Sequence, residues 1–180
     1  MQARTVTLVD EENKALGEAD ILEAHTGDGM LHRAFSVYVM RDHGREILMQ
    51  RRSEKKMLWS GIWANTACSH PFPDETATAA GERRLKEEMG FTVPLEERGT
   101  FVYRAVDPSG KGVEHEHVTL LQGSTDGLPV YVQANRDEVA EWTWIKVKEL
   151  RKRMKSKPER FAPWFHQGLE LLLATHVKKA

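Results

Sequence analysis

One stretch of the chain is punctuated at both ends as a helix, and one of its faces is charged where a core-facing stripe should be apolar. From Asp74 to Met89 the sequence DETATAAGERRLKEEM is rich in helix formers. It opens on an aspartate able to cap free N–H groups and stops at Gly90, a residue suited to a helix C-terminus. Helical spacing puts Gly81, Arg84, Leu85 and Glu88 on one face. A cation and a carboxylate there indicate either an i,i+4 salt bridge on a solvated surface or a helix that looks into a charged site.

Around this helix the apolar pattern has period two. RTVTLVD, Arg4 to Asp10, reads as an opening strand with ENKALG as the turn after it. AFSVYVM (Ala34 to Met40) and EILMQRR (Glu46 to Arg52) predict a hairpin through RDHGR, with Gly44 at positive φ. Further strands are predicted over FVYRAV (Phe101 to Val106), over HEHVTLLQG after the DPSGKG turn, and over EWTWIKV. KELRKRMK predicts a helix, and a last helix starts near Pro163. Strands in the middle, with helices inserted and appended, define an α+β class in which a mixed sheet packs against helices. At 180 residues the chain fits one domain, 1–180.

Composition excludes several partners. Hydrophobic residues at 40% and charged residues at 29% are the balance of a soluble globular protein. A net charge of -1 and a pI near 6.7 leave no general basic face for nucleic acid, so any anion site is local. The longest apolar run, LELLLA (Leu169 to Ala174), is far short of the about 18 residues of a membrane span. RKRMKSK, Arg151 to Lys157, reads as a solvated helix end. The start MQARTVTLVDEENK lacks the regions of a secretory signal, and one cysteine cannot form an internal disulfide, so a reducing cytoplasm is the expected location.

That cysteine, Cys68, lies in WANTACSHP, two positions before His70 and close to a proline that stops helix formation. A free cysteine is usually a small buried hydrophobe, but Asn65, Ser69 and His70 make this neighbourhood polar. His25 and His32 flank the TGDGML turn. In EHEH, strand alternation puts Glu114 and Glu116 on one face with His115 and His117 on the other. Three histidines and two carboxylates form a nitrogen- and oxygen-rich set that suits Mn, Mg or Zn. Two other readings stay open: separate hydrogen-bonded histidines, and a closed structural zinc site from Cys68, His70, His25 and His32.

The helix segment also fits the Nudix box, Gx5Ex7REUxEExGU with U aliphatic, a strand–loop–helix motif that holds divalent metals on diphosphates. Ser69, Glu75, Arg83, Arg84, Leu85, Glu87, Glu88, Gly90 and Phe91 occupy its positions. Ser69 replaces the glycine, and Arg84 replaces a glutamate that in the hydrolases helps hold the metals activating water. A Nudix diphosphohydrolase is therefore the alternative activity, weakened by Arg84.

A more specific likeness comes from the ordered series HTGDGMLHRAFSV, QRRSEKK, WANTACSHP, RRLKEEMG, YRAVDPSG, GVEHEHV and FAPWF. The chain resembles the type I isopentenyl-diphosphate isomerases, of Nudix-like fold, from about residue 5 to about residue 170. The resemblance implies interconversion of isopentenyl and dimethylallyl diphosphate for isoprenoid synthesis, with a small diphosphate as partner and the oligomeric state left open. Cys68 and Glu116 would be the acid/base pair, with Tyr103 hydrogen-bonded to the glutamate. His25, His32, His70, Glu114 and Glu116 would hold Mn2+, Zn2+ or Mg2+. Glu88 and the backbone carbonyl of Cys68 would hold a second ion, usually Mg2+, on the diphosphate.

By the same resemblance Arg52, Lys56, Ser69 and Arg84 would bind the diphosphate, and Trp164 would face a carbocation. Ile21 stands where many relatives have a lysine, with Arg51 or Lys55 as candidate replacements. Trp59 and Trp63 are expected on the pocket wall, whereas Trp142 and Trp144 are expected to serve packing.

Overall fold

A computed structural model describes residues 5–177, and the side chains of residues 5–174. Arg4, placed in the first strand by the sequence pattern, lies outside these bounds. The strands are β1 (Thr5–Val9), β2 (Ala15–Asp20), β3 (His32–Arg41), β4 (Glu46–Arg52), β5 (Trp63–Ala64), β6 (Ala67–Ser69), β7 (Glu96–Val106), β8 (Val113–Ser124) and β9 (Val139–Lys146). The α-helices are α1 (Ile21–Ala24), α2 (Ala77–Met89), α3 (Val147–Ser156) and α4 (Pro163–Val177). No helix among the described residues is long and apolar enough to cross a membrane.

β3 is the axis of the sheet. It runs parallel to β8 from the pair His32/Glu116 to the pair Met40/Ser124, and antiparallel to β6, with Cys68 opposite Ser36. β3 and β4 pair only at Met40/Ile47 and Arg41/Glu46, after which β4 turns to β9 and β5. The predicted hairpin is thus a short base from which two parts of one curled mixed sheet diverge. Its turn takes three residues at positive φ, Asp42, His43 and Gly44.

Both faces of β3 are buried, as parallel strands covered on two sides require. Phe35, Val37 and Val39 pack with Leu85 and Met89 of α2, whereas Ala34, Tyr38 and Met40 pack with Trp164, Phe165 and Leu169 of α4. The α2 face carrying Gly81, Leu85 and Glu88 is buried against the sheet rather than solvated. A Cβ at Gly81 would meet Leu121 Cδ1 at 2.5 Å and Leu95 Cδ1 at 2.9 Å, so a glycine lets the helix approach this closely.

Two local expectations need correction. The N-cap of α2 is Thr76, whose Oγ1 accepts from Ala79 N at 3.2 Å, rather than Asp74. ALG of ENKALG belongs to strand β2; ALGEAD is mostly exposed and lacks β-branched and aromatic residues, so only its pairing with β1 defines it. WANTACSHP, where the proline is expected only to stop a helix, forms two short strands, β5 and β6.

α2 ends at Gly90, with φ 80°, and the chain from Gln133 to Asn135 closes its terminus. Gln133 N donates to Met89 O at 2.9 Å and Asn135 N to Glu88 O at 2.8 Å, satisfying carbonyls that a helix end leaves free. A Cβ at Gly90 would lie 2.6 Å from the Gln133 carbonyl oxygen. Gly90→Ala, opposed by both φ and this backbone, is expected to lose about 1–3 kcal/mol in urea unfolding. An unchanged midpoint would contradict this role.

Candidate active site

At the edge of the α4-side core, a cavity of about 250 Å³ opens between the start of β8, the end of β6 and the chain after β4. It is small beside the ~300–1,000 Å³ of sites for drug-sized ligands. His25, Arg52, Lys56, Cys68, Ser69, His70, Arg84, Tyr103, Glu114, Glu116 and Trp164 line it. His32, fully buried, and Glu88, 1% exposed, lie behind this lining.

His32 stands opposite Glu116 in the β3/β8 register, His70 follows β6, and His25 caps the one-turn helix α1, whose N-cap Asp20 accepts from Leu22 N at 2.8 Å. One ligand atom from each of His25, His32, His70 and Glu116 lies within 4.8 Å of the others. Their tautomers are set from outside the cluster. His25 Nδ1 lies 2.7 Å from Ile21 O and His32 Nδ1 2.7 Å from Met30 O, so Nδ1 donates in both rings; in neutral His32 the Nε2 lone pair is then free, whereas His25 Nε2 lies 3.5 Å from Glu114 Oε2. His32 Nε2 is buried without a hydrogen-bond partner, and burial pulls His32 down to about 4, which keeps it neutral. A buried lone pair aimed among two further imidazoles and a carboxylate fits a divalent cation. Cys68 is not in this group, which speaks against a Cys68/His closed zinc site, and Glu114, expected as a further ligand, is not in it either.

The carboxylates are tightly enclosed. Tyr103 Oη lies 2.8 Å from Glu116 Oε2 and 3.4 Å from Glu114 Oε2, and His70 Nε2 is 3.0 Å from Glu116 Oε1. Burial, then the neighbouring Glu114 charge, pushes the Glu116 carboxyl well up. Burial also works on Glu114, but hydrogen bonds from His25 and Glu116 and the charges of His25 and His70 together outweigh it and bring that carboxyl down. His115 and His117 lie on the opposite face of β8, with His115 Nδ1 3.2 Å from Gly29 O.

Cys68 is partly exposed to the cavity. Burial pushes its thiol up to about 12, against a smaller opposing pull from Arg52, whose Nη1 is 3.6 Å from Sγ. Arg52 is anchored on two carbonyls, Nε on Trp59 O at 3.1 Å and Nη2 on Leu58 O at 2.9 Å, and its guanidinium stands 5.4 Å from the centre of the Trp164 ring. Trp164 is fixed by its indole N–H, which donates to Asn65 Oδ1 at 3.0 Å; Asn65 Nδ2 donates in turn to Ala67 O at 2.7 Å.

Arg84 lies at the wall with Nη1 2.6 Å from Glu87 Oε2 and Nη2 2.6 Å from Glu88 Oε1. Glu88 also accepts from Gln50 Nε2 at 2.8 Å, so the expected second-ion ligand is held by protein donors behind the wall. Arg83 grips Glu75 at 2.7 and 2.8 Å, tying the preceding loop to α2. Neither Arg51, paired with Glu141 at 2.7 Å, nor Lys55, paired with Asp137 at 2.5 Å, reaches the lining, so neither candidate supplies a cation beside Ile21 there. Trp59 and Trp63 are also absent from the wall: Trp59 packs edge-to-face behind Trp164, ring centres 5.4 Å apart, and Trp63 pairs with Phe161. Trp142 is partly exposed on β9, and Trp144 packs against Arg41 at 4.3 Å.

A thiol held near 12, above its ordinary value of about 8.5, is neutral throughout the physiological range. Alkylation of Cys68 by iodoacetamide is therefore expected to accelerate with pH from 7 to 10 without levelling. A plateau near pH 9 would show an ordinary thiol.

Comparison with known proteins places these features in a family. The NUDIX domain model matches residues 30–165. Isopentenyl-diphosphate Delta-isomerase of Nocardia farcinica is 39% identical over 97% of this chain and 98% of its own length. The protein of that name from Burkholderia multivorans is 40% identical over 94% and 93%, and that from Serratia proteamaculans 37% over 96% and 93%. Among solved structures, DR0079 from Deinococcus radiodurans superposes with a TM-score of 0.66 at 14% identity, covering 84% of this chain and 89% of that one. A MutT protein from Methanosarcina mazei Go1 gives 0.63 at 19%, covering 81% and 95%. These two likenesses concern the fold alone, whereas the sequence likeness extends over nearly the whole chain. The chain belongs to the isopentenyl-diphosphate Delta-isomerase family, within the NUDIX fold.

Proposed function

We propose that this protein interconverts isopentenyl diphosphate and dimethylallyl diphosphate by moving one proton onto the alkene and another off it. The observation carrying this reading is that the Cys68 thiol and the Glu116–Tyr103 pair line one small cavity together with the cations Arg52, Lys56 and Arg84, the Trp164 ring and apolar Met57 and Leu58. The cavity volume also favours a five-carbon ester over a nucleotide, the substrate class of many diphosphate hydrolases.

The chemistry balances on two groups. One delivers a proton to the terminal alkene carbon, where a C–H bond forms from the π pair and a tertiary carbocation is left. The other removes a proton from the allylic carbon, and the electrons of that C–H bond become the new double bond. The two groups exchange protonation states over one turnover. One of the two must therefore begin each turnover protonated and the other deprotonated, and each has a partner for its deprotonated state: Arg52 beside the thiolate, Tyr103 on the carboxylate.

Trp164 offers a ring face to the cationic carbon, and the apolar core behind it keeps water from trapping that carbon. Arg52, Lys56, Ser69 and Arg84 would hold the diphosphate. A divalent ion, Mn2+, Zn2+ or Mg2+, held by His25, His32, His70, Glu114 and Glu116 would supply the positive charge that tunes the Glu116 proton. Glu88 and the Cys68 carbonyl would serve a Mg2+ on the diphosphate once Glu88 is released from Arg84.

Proton NMR in deuterated water with isopentenyl diphosphate and Mg2+ tests the reading. Deuterium in the allylic product is expected; released phosphate without isomer would identify a diphosphohydrolase instead. Cys68→Ala is expected to keep its fold and bound metal and to lose at least about 100-fold in turnover. A variant that loses metal and unfolds would return Cys68 to a structural role.

A further inference from the structure

We propose that Glu138, just before β9, is a positioning residue whose carboxylate sets where the Lys56 ammonium and the Arg84 guanidinium meet the substrate's diphosphate. This rests on the diphosphate reading of the cavity. Glu138 Oε2 accepts from Lys56 Nζ and lies 3.3 Å from Arg84 Nη2, so one oxygen joins cations from two separate elements. Both cations line the cavity, whereas Glu138 does not. It therefore holds them from behind instead of occupying the anion's place.

Its backbone is tied to the frames of both partners. Ser53 N, in the chain leading to Lys56, donates to Glu138 O at 2.9 Å. Asn135 N donates to Glu88 O of α2 at 2.8 Å, and Asn135 O accepts from Glu138 N at 3.0 Å and Val139 N at 2.8 Å. The carboxylate is thus fixed in the frame that carries Lys56 and Arg84. Side-chain exposures of 18% for Lys56, 7% for Arg84 and 25% for Glu138 leave limited water to screen the trio. Burial works against ionisation of Glu138, but Lys56 and then Arg84 bring it down to about 2. Without the carboxylate, two like charges would repel across a short gap and the flexible lysine stem would move outwards.

Steady-state kinetics of the full-length, metal-loaded protein with isopentenyl diphosphate test the assignment. Glu138→Gln is expected to raise KM about five- to twentyfold with kcat changed less than about twofold. Inhibition by inorganic pyrophosphate is expected to weaken by the same factor. Glu138→Asp, which keeps the charge one methylene short, should fall between the two and serves if the amide variant folds poorly. In a Lys56→Met background the effect of Glu138→Gln should shrink at least about threefold, because one positioned cation is gone. An unchanged or lowered KM, or the same factor in both backgrounds, would overturn the assignment while the isomerase reading stands. A wild-type protein that turns over no isopentenyl diphosphate would overturn that reading, and this inference with it.

Discussion

The parallel pairing of β3 with β8 is the constraint from which the site follows. Its register sets His32 beside Glu116, and strand alternation then turns Glu114 and Glu116 to the same side as the α4-facing core residues Val118 and Leu120. On the other side of β3, β6 brings Cys68 opposite Ser36. A shift of one residue in either pairing would turn these groups to the α2 side, into Phe35, Val37 and Leu121. The interlocked core fixes the chemistry because it fixes the register.

The second consequence is electrical. Placing two carboxylates, a thiol and three imidazoles at the edge of an apolar core makes each charged form depend on a named neighbour. Burial and then the nearby Glu114 charge push the Glu116 carboxyl up, and burial pushes the Cys68 thiol up because a single guanidinium at 3.6 Å does not offset it. The cations are managed likewise. Arg52 rests on two backbone carbonyls, while Arg84 and Lys56 rest on carboxylates outside the cavity lining. Apolar Ile21 and Leu22 share the cavity lining with these three side chains and Ser69.

Much of this was legible in the sequence where chemistry is local or patterned. The β8 alternation, the Gly90 stop and the box spacing from Ser69 to Phe91 are all short-range signals, and the likeness to the family named the residues that meet in the cavity. Other features depend on tertiary structure. β2 carries no strand signal because its ALGEAD sequence is exposed and defined only by β1. For the Arg84 face, spacing alone left a surface salt bridge and a site-facing helix both open, because helical spacing cannot tell that Gly81 lets the sheet approach. Trp59 looked like a wall residue, yet Trp164, fixed by Asn65 from far along the chain, stands in front of it. Glu138 had no motif at all; its meaning arises from contacts across more than 50 residues of sequence.

The central claim is that a thiol and a carboxylate act on opposite sides of one alkene. The stereochemical course of turnover tests this most directly, using isopentenyl diphosphate stereospecifically deuterated at the allylic carbon and at the terminal methylene. Loss of one prochiral allylic hydrogen, with the new proton added to the other face of the carbon skeleton, is the expected result. Addition and removal on the same face, or random loss of either allylic hydrogen, would contradict it.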